Sequence, residues 1–317
     1  HEADLNGNLP PYQQLYDAIY RYYDSLSGNI MGLTFGSAPC LTEGNWNEIG
    51  PTKIPGNRTS QPNGMGRVNA IAFHPTDDDI IYLGAPAGGL WKSIDKGKNW
   101  TSNTDTLPTL GVSSIAIHPT NPDIIYIGTG DRDASDAYSR GVMKSTDGGN
   151  AWQWANSTMG NSTIGRLIMD PDRPDTLLAA TNNGIYRTVN GASTWVRTNS
   201  TGNFKDIVFK PGATDTVYAT RNGLFYRSTN NGVNWTNITS GLPSGAARCV
   251  LAVSEANPEF VYITLTNSAN FNSLCLSTDG GTTFQVMSTT PNIMDYSNLG
   301  TGTGGQAWYD LDMAADP

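Results

Sequence analysis

The chain has 317 residues, enough for one large or two ordinary domains, of which 38% are apolar and only 15% charged, with 35 glycines and a formal charge of −9. No block of Lys or Arg occurs, so nucleic acid and anionic membrane surfaces are excluded as partners, because both need a basic face. No run of eighteen apolar residues exists to predict a membrane span, and the abundance of Gly, Asn, Thr and Ser favours short strands joined by turns.

In chain order, residues 1–43 come first and differ from the rest. Pro10 and Pro11 lead into YQQLYDAIYRYYDSL, where Leu15, Ile19, Tyr22 and Tyr23 recur at helical spacing. One helix is expected here, packed on the following domain or presented to a partner. The segment NWNEIGP, residues 45–51, reads as an outer strand that precedes any complete repeat. It is expected to close the last unit of a ring, and the second domain is taken as 44–317.

From residue 68 onward the chain repeats itself. VNAIAFHPTDDDIIYLG, VSSIAIHPTNPDIIYIG, IGRLIMDPDRPDTLLAA, FKDIVFKPGATDTVYAT and CVLAVSEANPEFVYITL are five versions of two apolar runs around a turn. Pro75, Pro119, Pro171 and Pro211 are 44, 52 and 40 residues apart, and Glu255 takes the same slot 44 residues later. A period in the forties with four short strands per unit predicts an all-β chain, a β-propeller of four-stranded blades. In blade one, strand A is expected over 68–73, strand B over 80–84 and strand C over 89–93, with Trp100 at the start of strand D.

Between strands C and D stands one recurring turn: SIDKGKNW at 93–100, STDGGNAW at 145–152, TVNGASTW at 188–195, STNNGVNW at 228–235 and STDGGTTF at 277–284. Asp95, Asp147 and Asp279, with Asn190 and Asn230 in the same slot, can accept hydrogen bonds from backbone N–H groups of their own turn. Gly97, Gly149, Gly232 and Gly281 can supply positive φ, and the closing aromatic packs between strands. Each part has a folding task, so these residues read as structural. A calcium loop of the EF-hand kind needs more spaced oxygens and a closing Glu.

These boxes resemble the Asp-box (BNR) repeat propellers, which include sialidases, sortilin-like domains and xyloglucanases. NWNEIGPTKIPG, GRVNAIAFHP, APAGGLWKSIDKGKNW and GGQAWYDLDMAADP are, more narrowly, similar to propeller regions of secreted Bacteroidetes proteins exported by the type IX secretion system. That resemblance implies a secreted or cell-surface location and the outer-membrane type IX machinery as a partner in transit. It also lets two activities be checked by position. The xyloglucanase pattern places a catalytic Asp four residues after the Tyr of strand B, where this chain has Pro86 after Tyr82. The sialidase pattern needs R-I-P, where this chain has Arg67 in G-R-V. Glycoside hydrolysis needs two carboxyls. A non-catalytic binding or display module for a glycan or protein ligand is therefore expected, with a polysaccharide-degrading glycoside hydrolase and an adhesin or scaffold as alternatives.

The face opposite the boxes is formed by B–C and D–A connections. Blade two carries the long insertion GDRDASDAYSRG, blade five carries NSANFNS, and a long link from 291 to 306 ends at Trp308 and Tyr309. Asp131, Arg132, Asp133, Tyr138, Arg140, Trp308 and Tyr309 are the candidate ligand-binding residues. Capping the face is their alternative task. No cofactor and no metal are expected, with Asp131, Asp133 and Asp136 as the alternative Ca²⁺ candidate. His74 and His118 share one turn slot and read as turn residues. WYDLDMAADP, residues 308–317, is expected to be strand A of a sixth blade, leaving the ring incomplete within this chain. Cys40, Cys249 and Cys275 cannot all pair and show no CxxC spacing for zinc.

Overall fold

A computed structural model describes residues 67–315 apart from 135, 136, 298 and 310. The expected N-terminal helix, the 43/44 domain boundary, the closing strand at 45–51, Cys40 and Asp136 lie outside the described residues.

The described residues form five four-stranded antiparallel sheets, each built from consecutive strands in simple meander order. Blade one is β1 (Ala70–Phe73), β2 (Ile81–Ala85), β3 (Gly89–Ser93) and β4 (Thr101–Ser102). Blade two is β5 (Val112–Ile117), β6 (Ile125–Thr129), β7 (Val142–Ser145) and β8 (Gln153–Trp154). Blade three is β9 (Ile164–Met169), β10 (Leu177–Thr181), β11 (Gly184–Thr188) and β12 (Val196–Asn199). Blade four is β13 (Asp206–Lys210), β14 (Ala213–Arg221), β15 (Leu224–Ser228) and β16 (Thr236–Ile238). Blade five is β17 (Arg248–Val253), β18 (Val261–Thr266), β19 (Phe271–Ser277) and β20 (Gln285–Ser288).

The first strands of successive blades neighbour one another: β1 faces β5, β5 faces β9, β9 faces β13 and β13 faces β17. The core lies between blades rather than within one. Tyr82 and Leu90 of blade one meet Val112, Ile125 and Met143 of blade two. Tyr126 and Val142 meet Leu167 and Trp195, and Ile185 meets Phe204 and Ile207. Val208 and Phe225 meet Leu251 and Phe284. A second strand sandwiched this way is buried on both faces, which explains why β6 and β10 are buried at every position. In β1 the alternation leaves Ile71 and Phe73 61% and 67% exposed, on the opposite side of the strand from Ala72, which packs toward blade two.

The recurring turn has one geometry in all five blades. Its fourth and fifth residues both adopt positive φ: Lys96 and Gly97, Gly148 and Gly149, Gly191 and Ala192, Asn231 and Gly232, Gly280 and Gly281. Ala192 is a strained occupant of a slot where glycine would be free. The hydroxyl of Ser145 accepts from Gly149 N–H at 2.9 Å and donates to Asp147 Oδ1 at 2.8 Å. Asp147 Oδ1 in turn accepts from Ala151 N–H at 2.8 Å. The same bonds recur around Asp95 and Asp279, and the neutral amides of Asn190 and Asn230 accept the equivalent N–H at 3.0 and 2.9 Å. The aromatic then falls immediately before the fourth strand, as Trp100, Trp152, Trp195, Trp235 and Phe284 do.

One correction falls at the C-terminal end. Residues 307–309 form a turn and 311–315 no regular structure, so the expected sixth first strand is not a strand. A first strand pairs only with the second strand of its own blade, and no described residue supplies that partner. The segment is held instead by side chains: Arg248 donates through Nη1 to the carbonyl oxygens of Trp308 and Tyr309, and Thr264 bonds Met313.

Candidate functional site

The face opposite the recurring turns is built by the β6–β7 insertion, the β18–β19 loop and the link after β20. The last two are stitched together, with Ala307 N–H donating to Ala269 O at 3.1 Å and Phe271 N–H to Asn292 Oδ1 at 2.9 Å. The insertion turns inward at its start. Asp131, 2% exposed, accepts from the backbone N–H groups of Asp133 and Ala134 at 3.1 and 3.3 Å and pairs with Arg67. These bonds fold Asp133 toward the first strands.

Asp133 is where the cations converge. Its carboxylate meets Arg132 at 3.0 Å, Arg248 at 3.0 Å and Lys205 at 3.4 Å. Beside it, Asp206 pairs with Arg166 at 2.7 Å and accepts the N–H of Leu251 at 3.1 Å. Arg67 lies 4.4 Å over the Tyr309 ring, which itself leans on Trp308 with ring centroids 5.0 Å apart. Burial, with the charge of Arg248 adding to it, pushes the Lys205 ammonium below its ordinary pKa. Burial likewise lowers Arg248, against the pull of Asp133.

Alongside this network a pocket of about 520 Å³ opens between blades four and five. Lys205, Arg248, Asn203, Asn222, Ser268 and Trp308 are among its lining residues. Trp308 stands 49% exposed at this site.

The structure thus gathers Asp131, Arg132, Asp133, Trp308 and Tyr309 into one site. It does not gather Tyr138 and Arg140. The second half of the insertion turns outward, leaving Tyr138 91% exposed, while Arg140 borders a separate shallow pocket with Trp154 and Asn156. Ser139 explains the split: its Oγ lies 2.9 and 2.7 Å from the carbonyl oxygens of Thr129 and Ser162, which share its one proton, and accepts Gly141 N–H at 3.1 Å, pinning the chain between two outward-pointing neighbours.

Arg67, Arg166, Lys205, Asp206 and Arg248 were not among the residues expected from sequence. Their signal was present, since Asp206 and Arg248 open two first strands, Lys205 precedes one of them, and Arg166 interrupts the apolar run of a third. Asp131 and Asp133, two of the three suggested Ca²⁺ ligands, face guanidinium and ammonium groups. His74 and His118 accept backbone N–H groups of their own turns through Nδ1, at 3.4 and 3.1 Å. Pro86 is buried in the turn between β2 and β3. Among the described residues, no helix is long and apolar enough to cross a membrane.

No family model matches the chain, and no curated protein matches it in sequence. Solved structures do match. An ancestral GH74 enzyme is 23% identical with a TM-score of 0.60, over 70% of this chain and 31% of that one. The GH74 xyloglucanase from Xanthomonas campestris is 19% identical with a TM-score of 0.55, over 73% and 39%. This chain therefore spans well under half the length of either enzyme. Five consecutive four-stranded meanders packed blade on blade, together with this likeness, give the described residues the β-propeller fold.

Proposed function

We propose that this chain is a non-catalytic binding module of a secreted or cell-surface bacterial protein, taking a glycan or protein ligand on the face opposite the recurring turns. The observation that carries the reading is the state of three carboxylates described on that face, Asp131, Asp133 and Asp206. A glycosidase needs one carboxyl to protonate the leaving oxygen and a second to attack or to activate water. Here Asp131 is tied to Arg67, Asp206 to Arg166, and Asp133 to three cations at once. A carboxylate whose oxygens are occupied by cations has little lone-pair capacity left to attack or to activate water, and Pro86 has no carboxyl at all. The pocket beside them presents donors and an aromatic ring, which suits recognition.

The recurring turns are read as Asp-box turns on the strength of their shared hydrogen bonds. Export by the type IX secretion machinery, and a surface location, rest on the resemblance of the segments quoted above. A glycoside hydrolase is the second reading, favoured by the fold shared with GH74 enzymes. Incubating the complete protein with xyloglucan, mixed-linkage glucan and sialylated glycans separates the two. Binding without release of reducing sugar or sialic acid is expected. Turnover that disappears in Asp133→Asn would overturn the binding-module reading.

A further inference from the structure

The ion pairs of this face are unevenly shared. Among the described residues Asp131 pairs with Arg67 and Asp206 with Arg166, while Asp133 is shared by Arg132, Lys205 and Arg248, Arg248 also feeling the charge of Asp206. Among the described residues, the wall of the pocket between blades four and five carries Lys205 and Arg248 and no carboxylate, in a chain whose formal charge is −9. Buried cations in excess of their counterions are costly unless something anionic completes them.

Two donors are available for that task. Arg248 is 6% exposed, lines the pocket, and its Nε is buried without a hydrogen-bond partner among the described residues. Its other nitrogens are taken by Asp133 and by the Trp308 and Tyr309 carbonyls, so the guanidinium is fixed in orientation. Lys205 reaches Asp133 only at 3.4 Å, and an ammonium has three donors to give. At the pocket, Trp308 offers a half-exposed indole, while Asn203, Asn222 and Ser268 add neutral donors and acceptors.

Resting on the binding-module reading, we propose that this pocket takes a uronic acid residue of an acidic polysaccharide. Its carboxylate is held by Lys205 and Arg248 and its ring is stacked on Trp308. Each part of the ligand has a counterpart. The carboxylate answers the excess cation, the apolar face of the pyranose answers the indole, and the ring hydroxyls answer Asn203, Asn222 and Ser268. A pocket of about 520 Å³ lies within the usual range for small-ligand sites. One charge per sugar ring also suits a protein of net negative charge better than a denser polyanion.

The test is calorimetric titration of the complete protein with trigalacturonate, its methyl ester, a neutral xyloglucan oligosaccharide and an acidic peptide. Trigalacturonate is expected to bind at least about tenfold more tightly than its ester, since one charge-assisted hydrogen bond is worth that much. Lys205→Gln is expected to narrow the gap between trigalacturonate and its ester, with Arg248 keeping part of it; an unchanged gap overturns the role of Lys205. The ester comparison uses the unaltered protein, so it stands even if the variant fails to fold. Equal affinity for acid, ester and neutral oligosaccharide overturns the carboxylate assignment and leaves the binding module intact. Binding of the acidic peptide alone overturns the sugar assignment. Failure of every ligand overturns this inference and the glycan reading together.

Discussion

Arg187 tests how the blades hold one another. It stands on β11, one residue before the turn of blade three, and reaches across to the turn of blade four. Its Nε donates to the Asn231 carbonyl at 2.8 Å and to Asn231 Oδ1 at 3.2 Å, and Nη2 donates to Oδ1 at 2.9 Å. Equivalent bonds join the other neighbours. Lys92 reaches Gly148 O at 3.1 Å, Lys144 reaches Gly191 O at 3.4 Å, and Arg227 reaches Gly280 O at 2.8 Å. At three of the four junctions a second-strand tyrosine adds its hydroxyl to the same carbonyl, from Tyr82, Tyr126 and Tyr218. Arg187→Leu, copying Leu276 in the blade-five slot, keeps an apolar stem and removes all three bonds. Asn231 is 3% exposed, so its carbonyl is left desolvated. Charged hydrogen bonds contribute about 1.5–3 kcal/mol and an orphaned buried acceptor costs about 1–3 kcal/mol, overlapping quantities that together give a loss of about 2–4 kcal/mol. At roughly 2–4 °C per kcal/mol for a domain of this size, Tm should fall by about 4–16 °C. Urea unfolding of the variant should lose cooperativity as well, because neighbour coupling carries stability in repeat folds. Arg197→Leu, an exposed residue bonded only to Ser200 O, controls for the change of charge. A shift in Arg187→Leu below about 0.5 kcal/mol, no larger than a plain surface substitution, refutes the clamp.

Two further outcomes are expected. Backbone donors in the turns hold Asp279 down at about 2, first through Thr283 N–H, and lower Asp95 and Asp147 through Asn99 and Ala151 N–H. Their stabilisation is therefore complete above the unfolded value of about 4 and is lost as pH falls toward 2. Replacing the three with Asn, which already serves at 190 and 230, should flatten the fall in urea midpoint over that window; an unchanged slope contradicts the assignment. Burial pushes the Cys249 thiol up to about 12 and raises Cys275, so neither should be alkylated by iodoacetamide at neutral pH until the protein is unfolded. Peptide mapping of label on native Cys249 would show the junction of blades four and five to be open.

The blades were legible because their signals are local. Alternation in the first runs, continuous apolarity in the second and the glycine-bearing turn fix strand after strand; β3 falls on the expected residues and β2 one residue later than expected. Half of the candidate site was legible for the same reason, since a long acidic and basic insertion among short turns is visible in one dimension. Its partners were not. Lys205 and Arg248 belong to other blades, 72 and 115 residues beyond Asp133, and only the closing of blades about a common side brings them together. Strand reasoning also treats the start of a first strand as apolar lining, so charges there pass for edge residues. The inter-blade clamps were hidden differently. Lys92, Lys144, Arg187 and Arg227 repeat in register, yet a basic residue before a polar turn reads as a solvated face until its acceptor on the next blade is seen.

The two faces differ in what most of their polar groups have left to offer, although Trp152 Nε1 in the second turn is itself buried without a partner among the described residues. In a turn such as 145–152, the serine hydroxyl both donates and accepts, and the aspartate takes two backbone N–H groups. The carbonyl of Gly148 receives Lys92 and Tyr82 from the preceding blade. Such a group has little capacity left for a ligand, however polar it looks in sequence. On the opposite face the bonding is lopsided: three cations share one carboxylate, a buried guanidinium nitrogen has no partner among the described residues, and an indole stands half exposed. A repeated residue whose bonds are saturated locally is explained by folding. A group that is buried, still short of a partner and set in a pocket wall beside a half-exposed indole, as Arg248 Nε is, is where a ligand has most to add.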